Sequence, residues 1–136
     1  ALEKVSDKRV SSYGIVESSS SEHRIHLVDK FLEKPKATET TSRLGVIGKY
    51  IITPEVFDYI EHSRGTASKD GELRLADAFA AMVSDRDIYG LELEGDRYDT
   101  GDKFGFLKAT IDYALDREDL GPQLLSFMKT RVENMK

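Results

Sequence analysis

Apolar positions along this chain switch between a two-residue and a three-to-four-residue period, and the switches mark its elements. Tyr13 to Glu17 reads as a short strand, followed by a polar loop from Ser18 to His23. From Arg24 to Glu33, Ile25, Leu27 and Phe31 fall on one side and Val28 and Leu32 on the other, which predicts a strand covered on both faces. The two strands and their loop predict a hairpin, ended by Pro35, which has no N–H to give to a ladder. Leu44 to Ile52 is the next strand, with Gly45 and Gly48 inside it. Thr53-Pro54-Glu55 is a helix start, with Thr53 as N-cap and Val56, Phe57 and Ile60 as the apolar stripe. Arg64 to Gly71 is a glycine- and lysine-containing loop, and Leu73, Ala76, Phe79, Ala80 and Val83 follow at helical spacing.

Ile88 to Glu94 alternates through Tyr89, Leu91 and Leu93 and predicts a strand. Asp102 is placed to cap a long helix marked by Phe104, Leu107, Ile111, Ala114 and Leu115. Asp119, with Pro122 in the first turn, predicts the start of a last helix carrying Leu124, Leu125, Phe127, Met128 and Val132. Strands and helices alternate irregularly around a hairpin. The expected class is therefore α/β, a mixed sheet with flanking helices rather than regular βαβ winding. The 136 residues have the length of a single domain, residues 1–136.

Composition narrows the function classes. A 39% hydrophobic and 33% charged chain is globular rather than disordered. Its net charge of -5 argues against nucleic acid or an anionic membrane as partner, though not against a small phosphorylated ligand. Without cysteine there is neither disulfide nor thiolate metal site, and three scattered histidines make no histidine-rich zinc site. No apolar run approaches the ~20 residues of a membrane span, and no signal-peptide core follows Lys4, so a soluble, cytoplasmic protein is expected. The start at Ala1, without an initiator Met, hints at processing or truncation.

Two motifs carry candidate chemistry. Glu33-Lys34-Pro35-Lys36 sets a carboxylate beside an ammonium at a strand end. An ionised carboxylate accepts hydrogen bonds from two sugar hydroxyls, and an ammonium is a point charge for phosphate. Pro35 is expected to hold Lys34 extended. Tyr98-Asp99-Thr100-Gly101-Asp102-Lys103 places Asp99 at a strand end before a glycine turn and a helix. Magnesium takes one or two carboxylates together with substrate phosphate oxygens, so one aspartate suffices from half a site. Gly14 permits close approach of a ligand to backbone. Each motif alone also has an ordinary reading: solvated charges at a strand end, a turn-capping aspartate, a strand glycine at a bulge.

Taken in order, Tyr13-Gly14-Ile15-Val16, Glu33-Lys34-Pro35-Lys36, Gly48-Lys49-Tyr50-Ile51-Ile52-Thr53-Pro54, Gly71-Glu72-Leu73-Arg74-Leu75-Ala76-Asp77-Ala78 and Tyr98-Asp99-Thr100-Gly101-Asp102-Lys103-Phe104-Gly105 resemble the C-terminal half of bacterial UTP–glucose-1-phosphate uridylyltransferases. The resemblance runs through Asp116-Arg117-Glu118-Asp119-Leu120-Gly121. It implies the C-terminal, sugar-phosphate-binding portion of a Rossmann-like nucleotidyltransferase, whose N-terminal nucleotide-binding part, with its glycine-rich loop, is absent. The implied reaction joins UTP and glucose 1-phosphate to give UDP-glucose and pyrophosphate. By the same resemblance Glu33 binds glucose hydroxyls, Lys34 the sugar phosphate as a catalytic group, and the Gly14 backbone faces the sugar. The resemblance likewise implies that Asp99 holds Mg²⁺ jointly with an aspartate of the absent half, and that the enzyme is a homo-oligomer. Alone, the segment is expected to be inactive and to self-associate. Lys49, Arg74 and Ala76 stand where the family usually has Arg, Gln and Thr. With base recognition placed in the absent half, a thymidylyl- or other nucleotidyltransferase is the neighbouring reading. A non-catalytic interaction module keeping the fold is the reading from another class.

Overall fold

The computed structural model describes residues 1–63 and 74–135. The loop expected over Arg64 to Gly71, and Leu73 of the predicted stripe, lie outside the described residues. The described chain falls into two compact units, Ala1–Glu94 and Gly95–Lys136.

The first unit is built on two antiparallel sheets. A four-stranded sheet runs β1 (Leu2–Lys4), β6 (Leu44–Val46), β2 (Gly14–Glu17) and β5 (Lys30–Glu33) in spatial order, and a three-stranded sheet runs β3 (Ser20–Glu22), β4 (Ile25–Leu27) and β7 (Tyr89–Leu91). A 3₁₀ turn (Asp7–Ser12) and helices α1 (Val56–His62) and α2 (Leu75–Met82) complete it. Among the described residues all the strand pairs are antiparallel, and one parallel bridge joins Leu2 to Glu92.

The expected pairing of the two strands is present in part: β2 pairs with β5, with Gly14 opposite Glu33 and Val16 opposite Phe31, but β3 and β4 of the other sheet lie between them in sequence where a short loop was expected. Successive side chains of a strand point to opposite faces. Ile15 packs with Val5 and Val10 on one face of β2, and Val16 with Leu2 and Val28 on the other. Ile15 and Val10 are 0% exposed and Val16 2%, so the sheet is covered on both sides as its apolar pattern requires. Burial on this scale is worth ~1.5–3 kcal/mol per large side chain.

The single strand expected over Arg24 to Glu33 is instead two, in different sheets. The break falls at Val28 and Asp29. Val28 N–H donates to the Ile88 carbonyl (2.8 Å) and Asp29 N–H to the Glu17 carbonyl (2.8 Å), so the chain crosses here between sheets. The expected polar loop contributes β3 in the same excursion. The strand expected to reach Ile52 stops at Val46, because Gly48 (φ 81°) and Lys49 (φ 67°) are both left-handed and turn the backbone out of the ladder. The strand expected over Ile88 to Glu94 is the short β7, and its alternation is real but inverted. Gly90 is buried against Leu2, while Tyr89, Leu91 and Leu93 look outward. The first expected helix begins at Val56 rather than directly after Thr53, whose hydroxyl is spent on the Glu55 carboxylate and holds that group below the usual carboxylate range. In its stripe Val56 is buried and Phe57 exposed.

The second unit is a helical pair, α3 (Lys103–Leu115) and α4 (Gly121–Glu133). Asp102 caps α3 as expected, its Oδ2 accepting from Gly105 N–H at 2.8 Å. Asp119 does not cap α4. Its carboxylate is held in a fork by the Arg117 guanidinium (2.8 and 2.6 Å), and Leu120 occupies the cap position. Among the described residues no helix is long and apolar enough to cross a membrane.

Candidate functional site

The end of the β2–β5 pair brings Gly14 and Glu33 together as register partners. A Cβ placed on Gly14 would lie 3.0 Å from the Phe31 ring and 3.4 Å from Glu33 Oε2. The space beside Gly14 is therefore taken by the chain's own Phe31 and Glu33, and glycine there keeps the carboxylate where it is. This packing is a reason for the glycine in addition to the close ligand approach expected of it.

Lys34 follows, but not in the extended geometry its neighbour Pro35 predicts. Its φ is 45°, in the left-handed region that costs a non-glycine residue ~1–2 kcal/mol. The turn is held by Lys34 N–H donating to the Tyr13 carbonyl (3.1 Å). It sets Lys34 Nζ 3.8 Å from Glu33 Oε1, with the lysine side chain 60% and the glutamate 30% exposed. Strain of this kind is tolerated where the surroundings over-determine it, and functional sites are its usual location.

Aromatic side chains pack beside β5, beginning at Phe31, two residues before Glu33. Phe79 of α2, nearly buried, has its ring centroid 6.0 Å from Phe31 and 5.3 Å from Tyr50. Phe31, Phe79, Tyr50 and Lys49 border a small cavity of about 100 Å³ whose other walls include Leu2, Val16 and Val28. Burial, and secondarily the negative charge of Glu33, push the Tyr50 phenol above its usual range. The sequence pattern treats Tyr50 as one apolar residue of a strand. Only the left-handed turn at Gly48 and Lys49 reveals that it leaves the sheet, and Gly48 was the one available signal.

Asp99 belongs to the second unit and is not at a strand end, since β7 closes at Leu91 and irregular chain separates the two. Its Oδ1 accepts from Gly101 N–H at 3.1 Å, and its carbonyl accepts from Asp102 N–H at 3.3 Å. Gly105 is packed against that carbonyl so tightly that a Cβ would collide with it. The neighbouring Tyr98 hydroxyl donates to Asp112 Oδ2 (2.9 Å), tying the segment to α3. Asp99 is thus an exposed carboxylate with one oxygen oriented by a backbone N–H. Among the described residues there is no cluster of three or more metal-binding side chains. Asp99 fits a magnesium ion only as one oxygen donor of a larger set, which substrate phosphates and further carboxylates would complete.

Residues 2–115 match the nucleotidyl transferase family. This chain belongs to that family. A UTP–glucose-1-phosphate uridylyltransferase of Staphylococcus haemolyticus is 40% identical over 128 residues, covering 94% of this chain and 44% of its own length. The Staphylococcus epidermidis protein of the same name is 38% identical with the same coverage. Among solved structures, the UTP-bound UGPase from Acinetobacter baumannii superposes with a TM-score of 0.77 at 27% identity, covering 93% of this chain and 43% of its own. A UDP-glucose pyrophosphorylase complexed with UDP-glucose gives a TM-score of 0.75 at 29% identity, over 85% and 43% of the two chains. The chain therefore spans less than half the length of these relatives. The nucleotidyltransferase fold expected from the motifs is the fold observed.

Proposed function

We propose that this nucleotidyltransferase chain supplies the sugar-phosphate-binding part of a UTP–glucose-1-phosphate uridylyltransferase, a cytoplasmic enzyme working where its nucleotide and sugar-phosphate substrates are made. The observation that carries the reading is the Glu33–Lys34 pair, held by a strained turn at the end of a sheet buried on both sides. The likeness to enzymes named for this reaction supports it. Glu33 accepts hydrogen bonds from glucose hydroxyls, and the Gly14 backbone lies beside the ring. Lys34 neutralises the phosphate of glucose 1-phosphate as its oxygen attacks the α-phosphorus of UTP and pyrophosphate leaves. No covalent enzyme intermediate is needed, so positioning and charge stabilisation carry the rate. Asp99 would supply one oxygen ligand to Mg²⁺, and the ion would supply neutralisation of the charge on the transferring phosphates. By itself the chain has no triphosphate-gripping loop among its described residues and is inactive.

The test joins this chain to the part of the Staphylococcus haemolyticus enzyme that it does not span and follows pyrophosphate release from UTP and glucose 1-phosphate. Removing a preorganised charge of this kind costs ~100-fold or more in turnover. Lys34→Ala and Asp99→Asn are each expected to lose about that much with melting temperatures unchanged. Near-wild-type turnover in Lys34→Ala would end the phosphate role. Equal loss of stability and activity in Asp99→Asn would return that residue to turn capping.

A further inference from the structure

A carboxylate such as that of Glu33 accepts hydrogen bonds, whereas a sugar hydroxyl both donates and accepts. A site that pairs both functions of one hydroxyl needs a donor beside the carboxylate. Tyr50 can supply such a donor: it packs through Phe79 onto the Phe31 that shares the space over Gly14 with Glu33, and its phenol feels the Glu33 charge. Its backbone is turned out of the sheet by left-handed Gly48 and Lys49. Its ring is held against Phe79, which packs in turn on Phe31, two residues before Glu33 on the same face of β5. Phe31 and Glu33 share the space over Gly14. The Tyr50 side chain is 48% exposed, so one part of it packs and the remainder is open to a ligand. Among the described residues its hydroxyl has no hydrogen-bond partner.

We propose that Tyr50 is a specificity-determining residue of the Glu33 site, its hydroxyl donating to a hydroxyl of the sugar that Glu33 holds. The inference rests on the sugar-phosphate reading of that site. Burial and the Glu33 charge keep the phenol protonated well above neutral pH, so the donor is present under working conditions. A site built around hydroxyl pairing discriminates strongly against analogues lacking the group, because its own polar atoms are then left unpaired.

The experiment titrates the whole chain, with ¹³C in glutamate carboxyls and tyrosine Cζ, with glucose 1-phosphate. The Glu33 and Tyr50 signals are expected to move together with one dissociation constant. Tyr50→Phe, which keeps the ring on Phe79, should weaken binding about tenfold, the scale of one lost hydrogen bond to a charged-site ligand, and leave the melting temperature unchanged. If Glu33 responds while Tyr50 stays still and Tyr50→Phe binds like the wild type, the Tyr50 role is overturned and the sugar reading stands. If neither signal responds at saturating sugar phosphate, the sugar reading of this site falls, and the Tyr50 role with it.

Discussion

The two units of this chain reach order by opposite routes. The first buries Leu2, Val5, Val10, Ile15, Val16 and Val28 on two faces of a sheet whose partners are distant in sequence. The second is two helices in which Ala109 and Gly121 are the buried residues among those described. Phe104 (73% exposed), Tyr113 (68%) and Phe127 (66%) stand at its surface. Glu33 and Lys34 therefore sit on a framework with its own core, and Asp99 on one held by local contacts. The role proposed for Glu33 and Lys34 requires preorganisation and suits the first kind of support. The role proposed for Asp99, one carboxylate among several oxygen donors, tolerates the second. The open apolar surface of the helical pair is also what we would expect of a region that docks onto another copy or onto the remaining length seen in the relatives.

The sharpest way to break this comparison is to empty the first core. Ile15→Ala removes a wholly buried side chain and is expected to cost ~3–4 kcal/mol, measured by denaturant unfolding. The loss should appear in tryptic resistance of residues 1–94 while the helical pair keeps its protection against amide exchange. Loss of protection in both units together would show that the second depends on the core of the first.

The helical pair has a matching weak point. Gly105→Ala drives a Cβ into the Asp99 carbonyl and must shift either α3 or the Asp99 turn. Overpacking against backbone costs ~1–3 kcal/mol, and here the change should be confined to Gly95–Lys136. Amide shifts of Asp99 and Gly101 report it directly. An unperturbed Asp99 turn would mean that the glycine contact does not position the carboxylate.

These contrasts explain what was legible in the sequence. The two helices after Asp99 are legible because their patterns and the Asp102 cap are local signals, hydrogen-bonded within a few residues; the cap expected at Asp119 is not made, since Arg117 holds that carboxylate. The pairing of β2 with β5 was legible from their alternation, but not the two strands that lie between them. What the sequence hid was the switch of sheets at Val28, since an apolar residue there suits one continuous strand as well as a crossing. Strands as short as Leu2–Lys4 carry too little period to be seen. At the site, Glu33, Lys34 and Gly14 could be picked out as motif residues. The left-handed backbone of Lys34 could not, because a lysine before a proline predicts the opposite. Nor does one-dimensional spacing show that Phe79 holds Tyr50 near them.

A smaller effect tests the apolar surface of the second unit. Phe127→Ser replaces a side chain that touches water over most of its area, so its change in monomer stability should stay within ~0.5 kcal/mol. If the helical pair is the surface of self-association, the same change should lower the sedimentation coefficient of concentrated protein toward that of a monomer. A wild type already monomeric at high concentration would remove that role.

The smallest expected effect concerns the tie that steadies Asp99. Tyr98 donates to Asp112, and this bond, with burial and the Asp112 charge behind it, pushes the phenol from 10.0 up to about 12. A raised folded pKa stabilises the protonated form. Its contribution is complete below pH 10, falls as pH rises and the unfolded chain ionises first, and is gone above pH 12. Tyr50 and Tyr59 are raised as well, so the wild type alone does not isolate Tyr98. The difference between wild type and Tyr98→Phe does. Between pH 10 and pH 12 the melting temperature of the wild type should fall more steeply than that of the variant. Parallel slopes would mean that the bond from Tyr98 to α3 is not made in solution, leaving the Asp99 turn held by Gly105 and Asp102 alone.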